Sequence, residues 1–152
     1  MEGDTPIESA ELQLLSLFNR LRRVALGRNP VHESGVTGPQ LTVLDRIAAW
    51  PGCGVQEIAD DLGLTAPTVS VTVRRLEEAG LLMRRPDPAD GRAVQLFLEP
   101  RGEILQQQAV AFRLEKMRRL LAGLTPDERE TLLAMLQRAI SAAETTEGAQ
   151  NA

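Results

Sequence analysis

The segment from Leu62 to Arg92, LGLTAPTVSVTVRRLEEAGLLMRRPDPADGR, constrains what the rest of the chain can fold into. Thr65 is placed to cap a helix, because its hydroxyl can accept from a first-turn backbone N–H that has no helical partner. Val69, Val73 and Leu76 then recur at i, i+4 and i+7, which makes one apolar stripe. Thr68, Ser70, Val71, Arg74 and Arg75 fall on the other faces. Gly80 ends the helix, since glycine takes the left-handed C-terminal conformation without penalty. Just upstream, Val55 to Leu62 forms a short helix with Ile58, Ala59 and Leu62 inward, and Gly63 makes the turn. Downstream, Leu81–Arg85 and Ala93–Leu98 are two strands joined by Pro86–Arg92, a loop of Pro, Asp, Gly and Ala suited to a hairpin tip. Helix, tight turn, second helix and hairpin together make a helix-turn-helix reader with a wing.

The flanking segments are helical. Thr5-Pro6-Ile7-Glu8 reads as a capping box with proline in the first turn. Leu14, Phe18, Leu21 and Ala25 follow as one stripe, widened by Ile7, Leu15 and Leu17. Gly27 to Gly38 is a loop by composition. Thr37-Gly38-Pro39-Gln40 opens a second helix, with Leu41, Leu44 and Ile47 inward, which stops before Pro51. Pro100 begins a long helix to about Ala122 with two apolar stripes, and Thr125-Pro126-Asp127-Glu128 opens a last one in which Leu132, Leu136, Ala139 and Ala143 align. From Glu144 on no apolar residue exceeds alanine in size, so residues 147–152 are expected to be a disordered tail. The first and last helices carry more apolar face than a domain of this size covers by itself. A second copy of the chain is the economical cover. The expected architecture is mainly α with a small two-stranded β-wing. Residues 1–30 and 100–146 form dimerisation helices, and 37–99 form the winged helix-turn-helix DNA-binding part.

Charge bears on the partner. The net charge of -4 and pI near 5.1 argue against nucleic acid when taken over the whole chain. Locally the balance changes, because Leu62–Arg92 holds five arginines against Glu77, Glu78, Asp87 and Asp90. Acidic residues crowd elsewhere, in Met1–Glu11 and from Asp127 on. The single Cys53 leaves no internal disulfide, which fits a reducing compartment. No long apolar run and no basic-then-apolar N-terminus are present, so the expected location is the cytoplasm, with no membrane partner.

The order of elements and several motifs resemble the MarR family of bacterial transcription regulators, from about Leu12 to Ala143. The resemblance is carried by Leu62-Gly63-Leu64-Thr65, Pro67-Thr68-Val69-Ser70, Arg75-Leu76-Glu77-Glu78-Ala79-Gly80-Leu81 and Arg84-Arg85-Pro86-Asp87-Pro88-Ala89-Asp90-Gly91-Arg92, with Leu96, Leu98, Pro100 and Gly102 following in register. It implies a homodimer in which the first, fifth and sixth helices interlock. It implies reader helices in successive major grooves of a pseudo-palindromic operator, and wings in the flanking minor grooves. It also implies repression relieved by a small aromatic or phenolic effector, held in a crevice between the dimerisation and DNA-binding parts. The sequence departs from the family at Val71, commonly arginine, at Thr72, commonly a larger apolar residue, and at Gly91, where the wing usually inserts an arginine.

The expected DNA-contacting residues are therefore Thr65, Ala66, Pro67, Thr68, Ser70, Val71, Arg74, Arg75, Arg84, Arg85 and Arg92. Hydroxyls are expected to serve phosphates or base edges, and Val71 a thymine methyl. Arg74 and Arg75 also lie at ion-pairing distance from Glu77 and Glu78 along the helix. Asp87 and Asp90 are expected to brace the wing by pairing with Arg92. His32, Trp50, Phe18 and Phe112 are the aromatic candidates for an effector site. The bland alternatives beside them are an exposed loop histidine, a core tryptophan and dimer-core phenylalanines. Cys53 lacks a basic sequence neighbour that would activate it as a redox switch. No nucleophile–base pair, phosphate loop or metal cluster is present, so the expectation is no enzyme, no cofactor and no metal. Val71, Gly91 and the acidic total leave one alternative, a winged-helix protein-interaction module.

Overall fold

The computed structural model describes residues 6–25 and 30–150. Among these the elements run α1 (Pro6–Ala25), a 3-10 turn (Pro30–Ser34), α2 (Gly38–Ala49), α3 (Val55–Leu62), α4 (Ala66–Glu78), β1 (Leu82–Pro86), β2 (Val94–Leu98), α5 (Pro100–Leu121) and α6 (Pro126–Gln150). The chain divides into two compact units, Met1–Arg113 and Leu114–Ala152, with the boundary inside α5. The proposed capping box at Thr5 begins outside the described residues.

Local chemistry accounts for the boundaries in the first unit. Gln40 Oε1 accepts from the Thr37 N–H at 2.8 Å, closing the start of α2. Glu57 does the same for α3, its Oε2 accepting from the Gly54 N–H at 2.7 Å. Gly63, at φ 62, ends α3 in the left-handed conformation, and the Leu64 N–H returns to the Ala59 carbonyl at 2.9 Å. Thr65 Oγ1 accepts from the Thr68 N–H at 3.4 Å to start α4. The segment before α2 is more ordered than its composition suggests, since Pro30–Ser34 winds into a 3-10 turn with Val31 and Val36 in the core.

α2, α3, α4 and the hairpin close over one core. Leu44 and Ile47 of α2, Ile58 of α3, Val69, Val73 and Leu76 of α4, Leu82 of β1 and Leu96 of β2 are all fully buried or nearly so. β1 and β2 are antiparallel, with Leu82 opposite Leu98 and Arg84 opposite Leu96. The hairpin is tied to the helices through backbone as well as side chains. The Gly52 N–H donates to the Leu96 carbonyl at 2.8 Å, and the Leu96 N–H donates to the Cys53 carbonyl at 3.0 Å. The turn between α2 and α3 thus serves as a third short edge for a sheet of two strands.

α5 starts against the end of α4. The Glu99 N–H donates to the Leu81 carbonyl at 3.0 Å, and a Cβ built on Gly102 would stand 1.9 Å from that same oxygen. Further along, Asp45 of α2 receives both guanidinium nitrogens of Arg113 at 2.6 and 2.8 Å, and Gln106 at 3.0 Å.

In the second unit, Thr125 and Glu128 form the reciprocal capping box of α6 at 2.7 and 3.3 Å. The Arg129 side chain closes the end of α5 by donating to the Leu121 and Leu124 carbonyls at 3.0 and 3.1 Å. α6 continues to Gln150, which corrects the expected tail beginning at residue 147. Glu147, Ala149 and Gln150 are good helix formers that extend the helix across Gly148 without needing an apolar face.

Gly102→Ala should destabilise the fold by about 2–3 kcal/mol, since the added methyl overlaps a backbone oxygen that cannot rotate away. Gly91→Ala, with nothing within 4 Å of the new methyl, should stay within about 0.5 kcal/mol of the parent. Urea unfolding of both variants at one fixed protein concentration makes the comparison.

Candidate nucleic-acid interface

α4 has two faces set by its core stripe. With Val69, Val73 and Leu76 inward, Pro67, Thr68, Val71, Arg74 and Arg75 are exposed, and Ser70 and Thr72 are half-buried. Ala66 is half-buried against the core, so it can offer a ligand little beyond its backbone. The threonines are bonded within the helix: Thr65 and Thr68 hydroxyls lie 2.8 Å apart, and Thr72 Oγ1 donates to the Thr68 carbonyl at 3.2 Å.

The arginines differ in what holds them. Arg74 Nε lies 3.8 Å from Glu78 Oε1, an exposed i,i+4 pair of about 0.3 kcal/mol. Glu77 pairs instead with Arg84 of β1 at 3.0 Å, which links the end of α4 to the hairpin. The Arg85 guanidinium lies 4.9 Å from the Phe97 ring centre, a cation–π contact on the sheet. Arg75 and Arg92 have no ion pair among the described residues.

The wing is braced differently from the expectation. Asp87 Oδ1 accepts from the Ala89 N–H at 2.8 Å, and Asp90 Oδ1 accepts from the Arg92 N–H at 3.0 Å. Both carboxylates fold the loop through local backbone bonds, the habit of aspartate two residues before a turn. No ion pair joins either of them to the Arg92 side chain, which stays exposed at the tip.

Phe18 and Phe112 do not line the cavity that Trp50 lines. Trp50 is 57% exposed rather than in the core, because it sits at the open end of α2 just before Pro51. The Arg46 guanidinium stacks on it, 3.5 Å from the ring centre, and Arg46 Nε pairs with Asp61 at 3.2 Å. Trp50, Arg46, Cys53, Glu57 and Asp61 line a cavity of about 530 Å³. Neither Phe18, 59% exposed on α1, nor Phe112, half-buried on α5, lines it. The His32 side chain lies outside the described residues. The i,i+4 spacing of Arg46 and Trp50 was the available signal for their stack, whereas Asp45 and Arg113, far apart in sequence, left none.

Cys53 is 7% exposed. Burial pushes its thiol above the usual range, the Glu57 carboxylate adds to this, and the Arg46 guanidinium and a backbone hydrogen bond oppose it. For Arg113 the order is reversed, because the hydrogen bonds it donates to the Asp45 carboxylate favour the protonated guanidinium and outweigh partial burial.

Residues 36–94, which run from just before α2 through the helix-turn-helix and the wing loop to the first residue of β2, match the model of the MarR family. A solved structure of MarR is 30% identical, covers 97% of each chain and superposes with a TM-score of 0.71. The chain belongs to the MarR family. It is therefore a DNA-binding transcription regulator with a winged-helix fold, and not an enzyme. Over 145 residues this MarR-family chain is 29% identical to the HTH-type transcriptional repressor MdtR of Bacillus subtilis (strain 168), covering 95% of this chain and 92% of that one. It is also similar to PcaV, a transcriptional regulator of Streptomyces coelicolor solved in complex with its natural ligand. There the identity is 26%, the coverage 94% and 99%, and the TM-score 0.62. No helix among the described residues of this MarR-family regulator is long and apolar enough to cross a membrane.

The protonated state of Cys53 should favour folding at neutral pH, and that contribution should fall away as pH rises through the raised thiol pKa. Iodoacetamide should modify the native protein slowly at neutral pH and quickly in denaturant, followed by mass spectrometry. Rapid stoichiometric labelling of the native chain would contradict the buried thiol.

Proposed function

We propose that this regulator is a homodimeric repressor that binds a pseudo-palindromic operator and releases it when a small aromatic or phenolic effector binds. The observation that carries the reading is the division of α4: three residues locked in the core, and an outward face of Thr68, Val71 and Arg75 beside an exposed wing bearing Arg92. In this reading α4 enters the major groove and the wing lies along the neighbouring backbone. Thr65, Pro67, Ser70, Arg74, Arg84 and Arg85 act at the periphery, chiefly toward phosphates.

Residues 37–99 are the proposed DNA-reading part, and residues 1–30 and 100–146 the dimerisation helices. Each unit supplies its own support for a dimer. Leu14, Phe18 and Leu21 leave α1 with an exposed apolar face, and Leu133, Leu136 and Ile140 do so on α6. Such faces need cover in water, and a twofold dimer covers both in one association. Two reader helices must then meet successive grooves, about 34 Å apart. An effector preferring a dimer with another spacing would lower operator affinity by shifting the population. The ligand-bound PcaV structure supports an effector in a relative. Among the aromatic candidates, Trp50 lines a cavity beside Arg46 and Cys53.

Footprinting on the DNA upstream of its own gene tests the central claim, with a protected palindrome at moderate salt as the expected result. Absence of protection, together with a stable protein partner, would favour the interaction-module reading. Arg75→Ala should weaken binding to all sequences alike and lower the slope of log affinity against log salt by about two for a dimer, one for each lost phosphate contact. An unchanged slope would remove Arg75 from the interface.

Leu136→Asp with Ile140→Asp should convert the dimer to monomer in analytical ultracentrifugation and abolish operator binding. A dimer that survives both charges would place the association elsewhere.

A further inference from the structure

The outward face of α4 presents apolar groups where a guanine reader would present donors. Val71, 43% exposed, stands at the middle of that face with two methyl groups. Leu64, 45% exposed, adds apolar surface just before the N-cap. The nearby hydroxyls are largely engaged. Thr72 Oγ1 gives its proton to the Thr68 carbonyl at 3.2 Å, so it has none to give a base. Thr65 and Thr68 share one proton across 2.8 Å, which leaves one for a phosphate oxygen near the helix start. The guanidiniums of Arg74 and Arg75 lie three and four residues further on, and Arg74 is drawn toward Glu78. Donors and cations therefore surround an apolar centre.

The major-groove edge of DNA offers one apolar group, the C5-methyl of thymine. We infer that the centre of α4 recognises that methyl, with Val71 as the specificity-determining residue in each half-site. The inference rests on the proposed DNA-reading role of α4. A protein partner fits this face less well, because the apolar patch is small and ringed by a proton donor and cations suited to phosphate. Burying one methyl group against another apolar surface changes affinity by about fourfold, so the preference is modest at each half-site and multiplies over two.

The experiment begins with the full chain and selection from random duplexes. Failure to recover any specific site would overturn the DNA-reading role and the inference with it. With a site in hand, each thymine is replaced by deoxyuridine, which removes the methyl and changes no major-groove hydrogen-bonding group. One position per half-site should lose affinity by about fourfold. Val71→Ala should bind thymine and uracil there equally, with ratios at all other positions unchanged. Val71→Thr, which keeps one methyl, should give an intermediate ratio. 5-Methylcytosine should bind better than cytosine at that position in the parent and equally in Val71→Ala. A flat deoxyuridine scan on a bound operator would overturn the inference and leave operator binding intact. So would a thymine-to-uracil ratio in Val71→Ala equal to that of the parent.

Discussion

Val69, Val73 and Leu76 of α4 are withdrawn from water into the cluster that holds Leu44 and Ile47 of α2, Ile58 of α3 and Leu96 of β2. Each is worth about 1.5–3 kcal/mol on burial, so together they far outweigh any surface interaction the helix makes. Because an α-helix advances 100° per residue, holding three residues inward fixes the azimuth of all the others. Rotating α4 by one residue would bring Ser70 and Arg74 toward the core, where neither finds a buried partner. The exposure of Val71 and Arg75 is thus a consequence of packing on the opposite side of the helix. The turn at Gly63 and the Thr65 cap then set where along the core the helix begins.

The position of the wing depends on a second set of contacts, mostly backbone. β2 is held on one side by β1 and on the other by Gly52 and Cys53, through the N–H and carbonyl of Leu96. Glu77 and Arg84 add an ion pair between α4 and β1. Leu81 meets Gly102 so closely that only a hydrogen fits. A displacement at the start of α5 therefore bears directly on the strand that carries the wing. The Asp45–Arg113 fork, with Gln106 beside it, fastens the same helix to α2. Bidentate pairs of this kind restrict angle as well as distance, because the planar guanidinium meets the carboxylate in one orientation.

Elements governed by local rules were readable from the chain. Thr37, Thr65 and Gly63 announce where helices start and stop, and the 4- and 3-residue spacing of Val69, Val73 and Leu76 gives the inward face. Features made by residues distant in sequence were not. Asp45 and Arg113 carry no mark of each other, nor do Leu81 and Gly102, since their meeting is decided by how α5 returns to the core. Trp50 illustrates a different failure. Its size suggested the interior, yet the helix ends there and Arg46 covers one face of the ring, so a large apolar residue remains at the surface. The expected pairing of Asp87 and Asp90 with the Arg92 side chain is absent, and the two carboxylates instead accept from the backbone N–H groups of Ala89 and Arg92. An Asx turn needs no second side chain to be held in place, so it outcompetes a pair with a long and mobile guanidinium.

An acidic chain that binds a polyanion must keep its cations where they count. Several of the arginines near α4 are partly neutralised: Arg74 by Glu78, Arg84 by Glu77 and Arg46 by Asp61. Arg85 spends part of its field on Phe97, and Arg75 and Arg92 remain outside any ion pair among the described residues. In the proposed mode, Arg75 and Arg92 meet phosphates without first leaving a partner, while Arg74, Arg84 and Arg85 give up part of theirs, which trims the sequence-independent component of affinity. The same economy raises the share of affinity that must come from fit in the groove. An apolar centre on α4 suits that division, because a methyl contact is unaffected by salt and is lost when the helix is displaced by little more than a bond length. In the proposed mode, a regulator built this way leaves its operator when the spacing of its reader helices changes slightly.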